Sequence, residues 1–235
     1  MEQEALELLV CLAEAGDAEA MEQAEGQQEL EEGVLMENIG EMQQELGGLM
    51  ESFKDFFEGD DISGDPEKDM ENWHHQTEQN SCAVACQEFV AEQLLDREFS
   101  EQELIQLATE RGWYDPATGT PVADVGNILE ELGLEVERQN GVTLAELAEM
   151  LDNGEKVIVG VNNMVLANPA MANLPGMSAN HAVQVIGIDG TDPDNIQIIL
   201  NDPGVENGQG IRHDLSTFMT AWSTSGNYTV SADKE

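Results

Sequence analysis

Cys82 stands where a thiol can be made reactive. Asn80 and Ser81, two short polar residues, come just before an apolar periodic run and read as a helix start. Such side chains accept hydrogen bonds from the unpaired N–H groups of a first turn. A cysteine at that position meets the positive end of the helix macrodipole, which favours thiolate over thiol. Gln76 lies shortly upstream, and its amide can return over the turn as a donor to an oxyanion formed where Cys82 attacks a carbonyl. His181 is the best base in the chain, because an imidazole with an unperturbed pKa of ~6.5 takes and returns a proton near neutrality. Asp202 can hold one ring nitrogen and stabilise the imidazolium. Nucleophile, base and orienter are what thiol acyl transfer requires. Each also has a plainer reading: a core cysteine, a structural strand histidine, an Asp-Pro-Gly turn. Their order, with Gln76 beside the cysteine, favours catalysis.

The elements that must position these groups are legible in outline. Cys82 to Leu95 reads as a helix whose apolar face holds Ala85, Phe89 and Leu94. Cys86, one turn on, reads as a small buried hydrophobe. His181 opens a strand over 181–188, and Asp202 closes a second over 195–201, with Gly190 to Asp194 as the turn between them. Antiparallel pairing across that turn brings histidine and aspartate to one end of the sheet.

Gln76, five residues and Cys82 before a small-residue helix resemble the opening motif of papain-like cysteine peptidases. The chain is similar in particular to the bacterial family that removes double-glycine leaders from bacteriocins. Asn180-His181-Ala182-Val183 and Asn201-Asp202-Pro203-Gly204 match that family's two later landmarks, and the resemblance runs from about Trp73 to Val230. It implies a papain-like fold, with the cysteine helix in a helical subdomain packed on a mostly antiparallel sheet. It implies a Cys82–His181–Asp202 triad with Gln76 as oxyanion donor, cleaving a peptide bond, and needing no cofactor. An acyltransferase or transpeptidase of the same fold, and a non-catalytic peptide-binding module, remain alternative readings.

The chain has 235 residues and 49 acidic side chains against 8 Lys and Arg, a formal net charge of −41. That excludes ordinary binding to a phosphate backbone, which needs a basic footprint, and argues against docking on anionic lipid. No apolar run approaches the ~20 residues of a membrane span. The first residues are acidic rather than basic, unlike a secretory signal, which suggests a cytoplasmic protein, with export by another route left open. Three cysteines argue against a disulfide framework, and no paired Cys/His spacing resembles a zinc site. The expected partner is a peptide or protein substrate.

Residues 1–70 carry 22 acidic side chains and two lysines, net −20, and read as an extension to a domain over 71–235. Leu6, Leu9, Val10 and Ala13, then Val34, Leu35, Ile39, Met42, Leu46 and Leu49, recur at helical spacing. An aromatic patch and a linker over 58–69 follow. The extension reads as amphipathic helices or partly disordered chain, alternatively as a pro-segment or a partner-binding arm. Gly47-Gly48 matches the pair at which the family's leaders are cut, although Glu45 falls where such leaders carry an apolar residue, and the pair also reads as a helix terminator.

Within the domain, Ser100 to Glu103 reads as a capping box opening a second helix. Residues 113–120 read as a turn-rich loop. Further expectations are a helix near 122–132 ending at Gly133, a strand over 134–137, a helix over 143–151 and a buried strand over 156–161. Residues 162–180 read as a loop without regular structure bordering the cleft. A helix over 214–222 and a strand over 228–230 close the chain. His74 and His75 are candidates for the cleft entrance, His213 for an exposed site, and Asn180 or Asn201 for the orienter should Asp202 point away. Helices first and mostly antiparallel strands after give an α+β class.

Overall fold

The computed structural model describes residues 62–234. The amphipathic helices, the aromatic patch, Gly47-Gly48 and Cys11 all fall outside the described residues. Part of the expected linker is structured. Residues 62–64 form β1 (Ile62–Gly64) and residues 66–69 form α1 (Pro66–Asp69). Asp69 is buried and ion-paired to Lys156, its carboxylate oxygens 2.9 and 2.7 Å from Nζ. The folded unit therefore begins before residue 71.

The helical layer holds α2 (Cys82–Leu95), α3 (Glu101–Arg111) and α4 (Asn127–Glu131). One face of α2, including Ala83, Cys86 and Val90, packs against Ile158, Ala182 and Val230 of the sheet. Its other side, through Val84, meets Leu104, Ala108, Tyr114 and Ile128. Being buried on nearly all sides, α2 needs an apolar sequence rather than an amphipathic one. Asp96 ends it in the left-handed region at φ 50°.

The sheet is antiparallel throughout, in the order β2-β7-β3-β4-β5-β6. Its strands are β2 (Glu135–Gln139), β3 (Lys156–Val161), β4 (His181–Asp189), β5 (Gln197–Asn201), β6 (Ile211–Asp214) and β7 (Thr229–Asp233). β1 pairs with the far half of β4, Gly64 opposite Gly187. The contact is backbone to backbone: a Cβ on Gly64 would lie 2.5 Å from the Ile186 carbonyl oxygen. Three more helices complete the unit, α5 (Leu144–Asp152), α6 (Asn163–Ala167) and α7 (Leu215–Ser223). α5 opens on a capping box between Thr143 and Glu146.

Several boundaries differ from the sequence reading. The expected helix over 122–132 is broken into a 3₁₀ turn, Val122–Asp124, and α4. Gly126 between them sits at φ 99°, and a Cβ there would press on Val136 and Val230. Residues 162–180 are not irregular throughout: they carry α6 and a 3₁₀ turn, Pro169–Asn173. Asn162 caps α6 and its Nδ2 donates to the Ser178 carbonyl at 2.6 Å, drawing the two ends of the segment together. Ser100 makes no side-chain capping bond to α3.

Candidate active site

The Cys82 sulfur lies at the first residue of α2, over the start of β4. Ser81, the N-cap, is fully buried and points away from its own helix, its hydroxyl donating to Glu101 Oε1 at 2.6 Å. β3 and β4 are in register with Val161 opposite His181 and Gly160 opposite Ala182, so His181 opens its strand beside the mouth of α2. β5 pairs with β4 as Gln184 opposite Asn201, and Asp202 follows directly. His181 Nε2 is 2.7 Å from Asp202 Oδ1. That leaves Nδ1 as the ring nitrogen not engaged by Asp202.

Asp202 is held from three sides. Its Oδ1 also accepts from the Gly204 N–H at 2.8 Å. Its backbone N–H donates to the Gly208 carbonyl at 2.9 Å. Its carbonyl accepts from Trp73 Nε1 at 2.8 Å. The Gln76 N–H donates to the Pro203 carbonyl at 2.9 Å. The segment Trp73 to Gln76 is thus a strap across the turn that carries the aspartate, and it leads straight into the loop before Cys82.

The electrostatics follow from this packing. Burial raises the Cys82 thiol, but the hydrogen bond and charge of His181, with backbone hydrogen bonds from Ala182 and Ala83, outweigh it and hold the thiol below its ordinary range. Burial lowers His181, but the hydrogen bonds to Asp202 and Cys82 and their charges more than reverse that and raise the imidazole well above its ordinary value. Burial raises Asp202, outweighed by the His181 hydrogen bond and charge, so its carboxyl falls below the usual range. The arrangement favours a thiolate–imidazolium pair steadied by a carboxylate. Cys86, wholly buried one turn further along α2, is pushed far up by desolvation. Its Sγ lies 3.5 Å from the Ala182 carbonyl oxygen, and it belongs to the core.

Gln76 lines the same cavity as Cys82, His181 and Asp202, an opening of about 840 Å³. Its amide is already engaged: Nε2 donates to the carbonyls of Glu78 at 2.7 Å and Gln79 at 2.9 Å. Exchanging the amide nitrogen and oxygen would set Oε1 against two carbonyls, so this orientation is fixed. Oε1 itself is buried without a partner. In this arrangement Gln76 braces its loop rather than offering a free donor.

The remaining candidates are sorted by the structure. Asn180 is paired reciprocally with Asn163, and Asn201 Nδ2 donates to the Asp69 carbonyl and Gln184 Oε1. It is therefore Asp202 that holds the imidazole. His213 is half-buried and lines the cavity rather than facing solvent; burial lowers its pKa. His74 is turned toward the helices, with Nε2 2.9 Å from Glu88 and the ring edge-on to Phe89. His74, Glu88 and Glu101 bring ligand-type atoms within 4.8 Å of one another. Those atoms already serve protein groups, since Glu101 takes hydrogen bonds from Ser81 and from the Thr77 N–H at 2.8 Å.

No model of a known protein family matches the chain. Mb1299c of Mycobacterium bovis is 28% identical over 193 residues, covering 70% of this chain and 82% of that protein. MT1306 and Rv1268c of Mycobacterium tuberculosis match to the same extent. Among solved structures, a protein of Bacillus anthracis named as C39-like peptidase superposes with a TM-score of 0.51 at 15% identity, covering 69% of this chain and 94% of that one. The fold is that of a C39-like peptidase. In this chain the helical layer carries Cys82, and the antiparallel sheet carries His181 and, just past β5, Asp202. The peptidase domain of Streptococcus ComA, a bi-functional ABC transporter of a quorum-sensing pathway, covers 69% of this chain and 98% of its own length at 18% identity, with a TM-score of 0.48.

Proposed function

We propose that the protein is a cysteine peptidase, with Cys82 as nucleophile, His181 as general base and acid, and Asp202 as the orienter of His181. The observation that carries this reading is the 2.7 Å bond from His181 Nε2 to Asp202, in one cavity with a thiol at a helix mouth whose pKa His181 helps to lower. The thiolate attacks a peptide carbonyl carbon and its π electrons move to oxygen. As the tetrahedral adduct collapses, the C–N bond breaks and His181 Nδ1 gives its proton to the departing amine. Water, deprotonated by His181, then attacks the thioester, and the sulfur leaves as thiolate with a carboxylic acid as second product. Asp202 keeps the ring oriented through both proton transfers.

The developing oxyanion is stabilised by the positive end of α2. For Gln76 to add its amide, one of its two N–H groups must leave a loop carbonyl. The cavity wall offers amides, hydroxyls and aliphatic groups, and its acid, Asp202, is already paired to His181. Such a wall suits an uncharged stretch of peptide.

The deciding experiment is turnover of a peptide library by the protein and by Cys82→Ala, with products read by mass spectrometry. Cys82→Ala is expected to fold and to release no products. Activity retained in Cys82→Ala, or lost equally in Cys86→Ala, would overturn the assignment.

A further inference from the structure

We infer that Glu101 is a positioning residue that sets the nucleophile by bracing the loop before it. Glu101 is the first residue of α3 and is 4% exposed. Its two carboxylate oxygens reach in opposite directions along one short loop. Oε1 accepts the Ser81 hydroxyl at 2.6 Å, and Oε2 accepts the Thr77 N–H at 2.8 Å. Thr77 follows Gln76, and Ser81 precedes Cys82, so a single side chain grips both ends of the loop that carries the two residues. Gln102, its neighbour, adds a bond from Nε2 to Thr77 Oγ1 at 2.8 Å.

The chemistry explains why a carboxylate stands there. A loop that points one amide at its own carbonyls and presents a sulfur at a fixed height needs acceptors for the N–H and O–H groups that its tight path leaves over. A buried carboxylate supplies two strong acceptors from one rigid point on a helix. Its negative charge opposes a thiolate nearby, so its benefit is geometric. Displacing a nucleophile by about an ångström costs on the order of a hundredfold in rate. The buried Ser81 hydroxyl, which makes no capping bond to its own helix, has its place for the same reason.

The inference rests on Cys82 being the nucleophile. Its test compares Glu101→Ala, Glu101→Asp and Glu101→Gln, in steady-state turnover of a cleaved peptide and in the pH profile of Cys82 alkylation by iodoacetamide. Glu101→Asp keeps the charge but is one methylene too short to hold both ends of the loop. Glu101→Gln keeps an acceptor for Thr77 and can donate to Ser81. Geometry therefore predicts that Ala and Asp lose at least about tenfold in kcat with KM within about twofold, and that Gln recovers most of the loss.

The alkylation profile of Ala and Asp is expected to move up toward the ordinary thiol range, as the sulfur slips from His181. Simple removal of a negative charge would move the Glu101→Ala profile down instead. An Ala variant with unaltered kcat and an unaltered or lowered profile overturns the inference, as does Asp behaving like the unaltered protein. Should Ala fail to fold, the contrast between Asp and Gln decides. If the unaltered protein cleaves no peptide, the peptidase reading falls while the alkylation profiles still test the brace.

Discussion

Gly204 lies so close to the His181 ring that a Cβ added to it would stand 2.8 Å from Cε1 and 3.1 Å from Nε2. The ring cannot yield cheaply, because Asp202 holds its Nε2 at 2.7 Å. Gly204→Ala is therefore expected to lower kcat by about a hundredfold. Gly204 is exposed and does not adopt a positive φ, so the thermal midpoint should scarcely move. Parallel kinetics and melting curves check both halves; loss of stability matching the loss of rate would refute the steric account.

The thiolate–imidazolium pair predicts a broad pH profile. Activity should rise as Cys82 loses its proton, below the ordinary thiol range, and fall as His181 loses its proton at about 10. Asp202→Asn removes the hydrogen-bonded anion that opposes the effect of burial, so the alkaline limb should move to lower pH. Stability follows the same sign. A raised histidine contributes in full below its unfolded value and loses that contribution as pH rises through its folded value. Rate profiles of the two proteins from pH 5 to 11 provide the measurement.

Selective chemistry should distinguish the two cysteines of α2. At pH 6.5 iodoacetamide is expected to modify Cys82 and leave Cys86 untouched until the protein unfolds, because burial both shields Cys86 and holds it protonated. Peptide mapping by mass spectrometry, with and without denaturant, reads the outcome. Modification of Cys86 at a comparable rate would contradict the packing.

Asp69 and Lys156 form a buried pair, the carboxylate 2% and the lysine 15% exposed. Lys156→Met strands the carboxylate and should cost about 3 kcal/mol at neutral pH. Burial already raises Asp69, in opposition to Lys156, and loss of the lysine raises it further. An acid with a raised folded pKa is less destabilising when protonated, so the deficit should shrink as pH falls toward 4. Denaturant titrations at pH 7 and pH 4.5 test this, and Asp69→Asn in the same background should recover much of the loss.

The parts of this fold legible in the sequence are those with a long, strongly patterned signal. The α2 run of small and apolar residues gave its boundaries, and the β-branched run of 156–161 gave β3. β1 and β6 escaped for a physical reason. β1 has three residues and holds by backbone contact at Gly64. β6 alternates half-buried and exposed residues, Arg212 among them, at the end of the strand order, where little apolar surface is needed. The meeting of His181 with Asp202 could be anticipated from one hairpin. What could not be anticipated was the use of Glu101, which reads locally as part of a helix cap yet reaches back to Ser81. Nor does spacing reveal that Gln76 turns its amide inward.

The sulfur belongs to the helical layer and the imidazole to the sheet, and they meet only where Ala83 and Cys86 dock on Ala182. Neither layer by itself therefore holds both the thiol and its candidate proton acceptor. On the proposed reading, the reactive centre is a property of the docked layers and of neither layer alone.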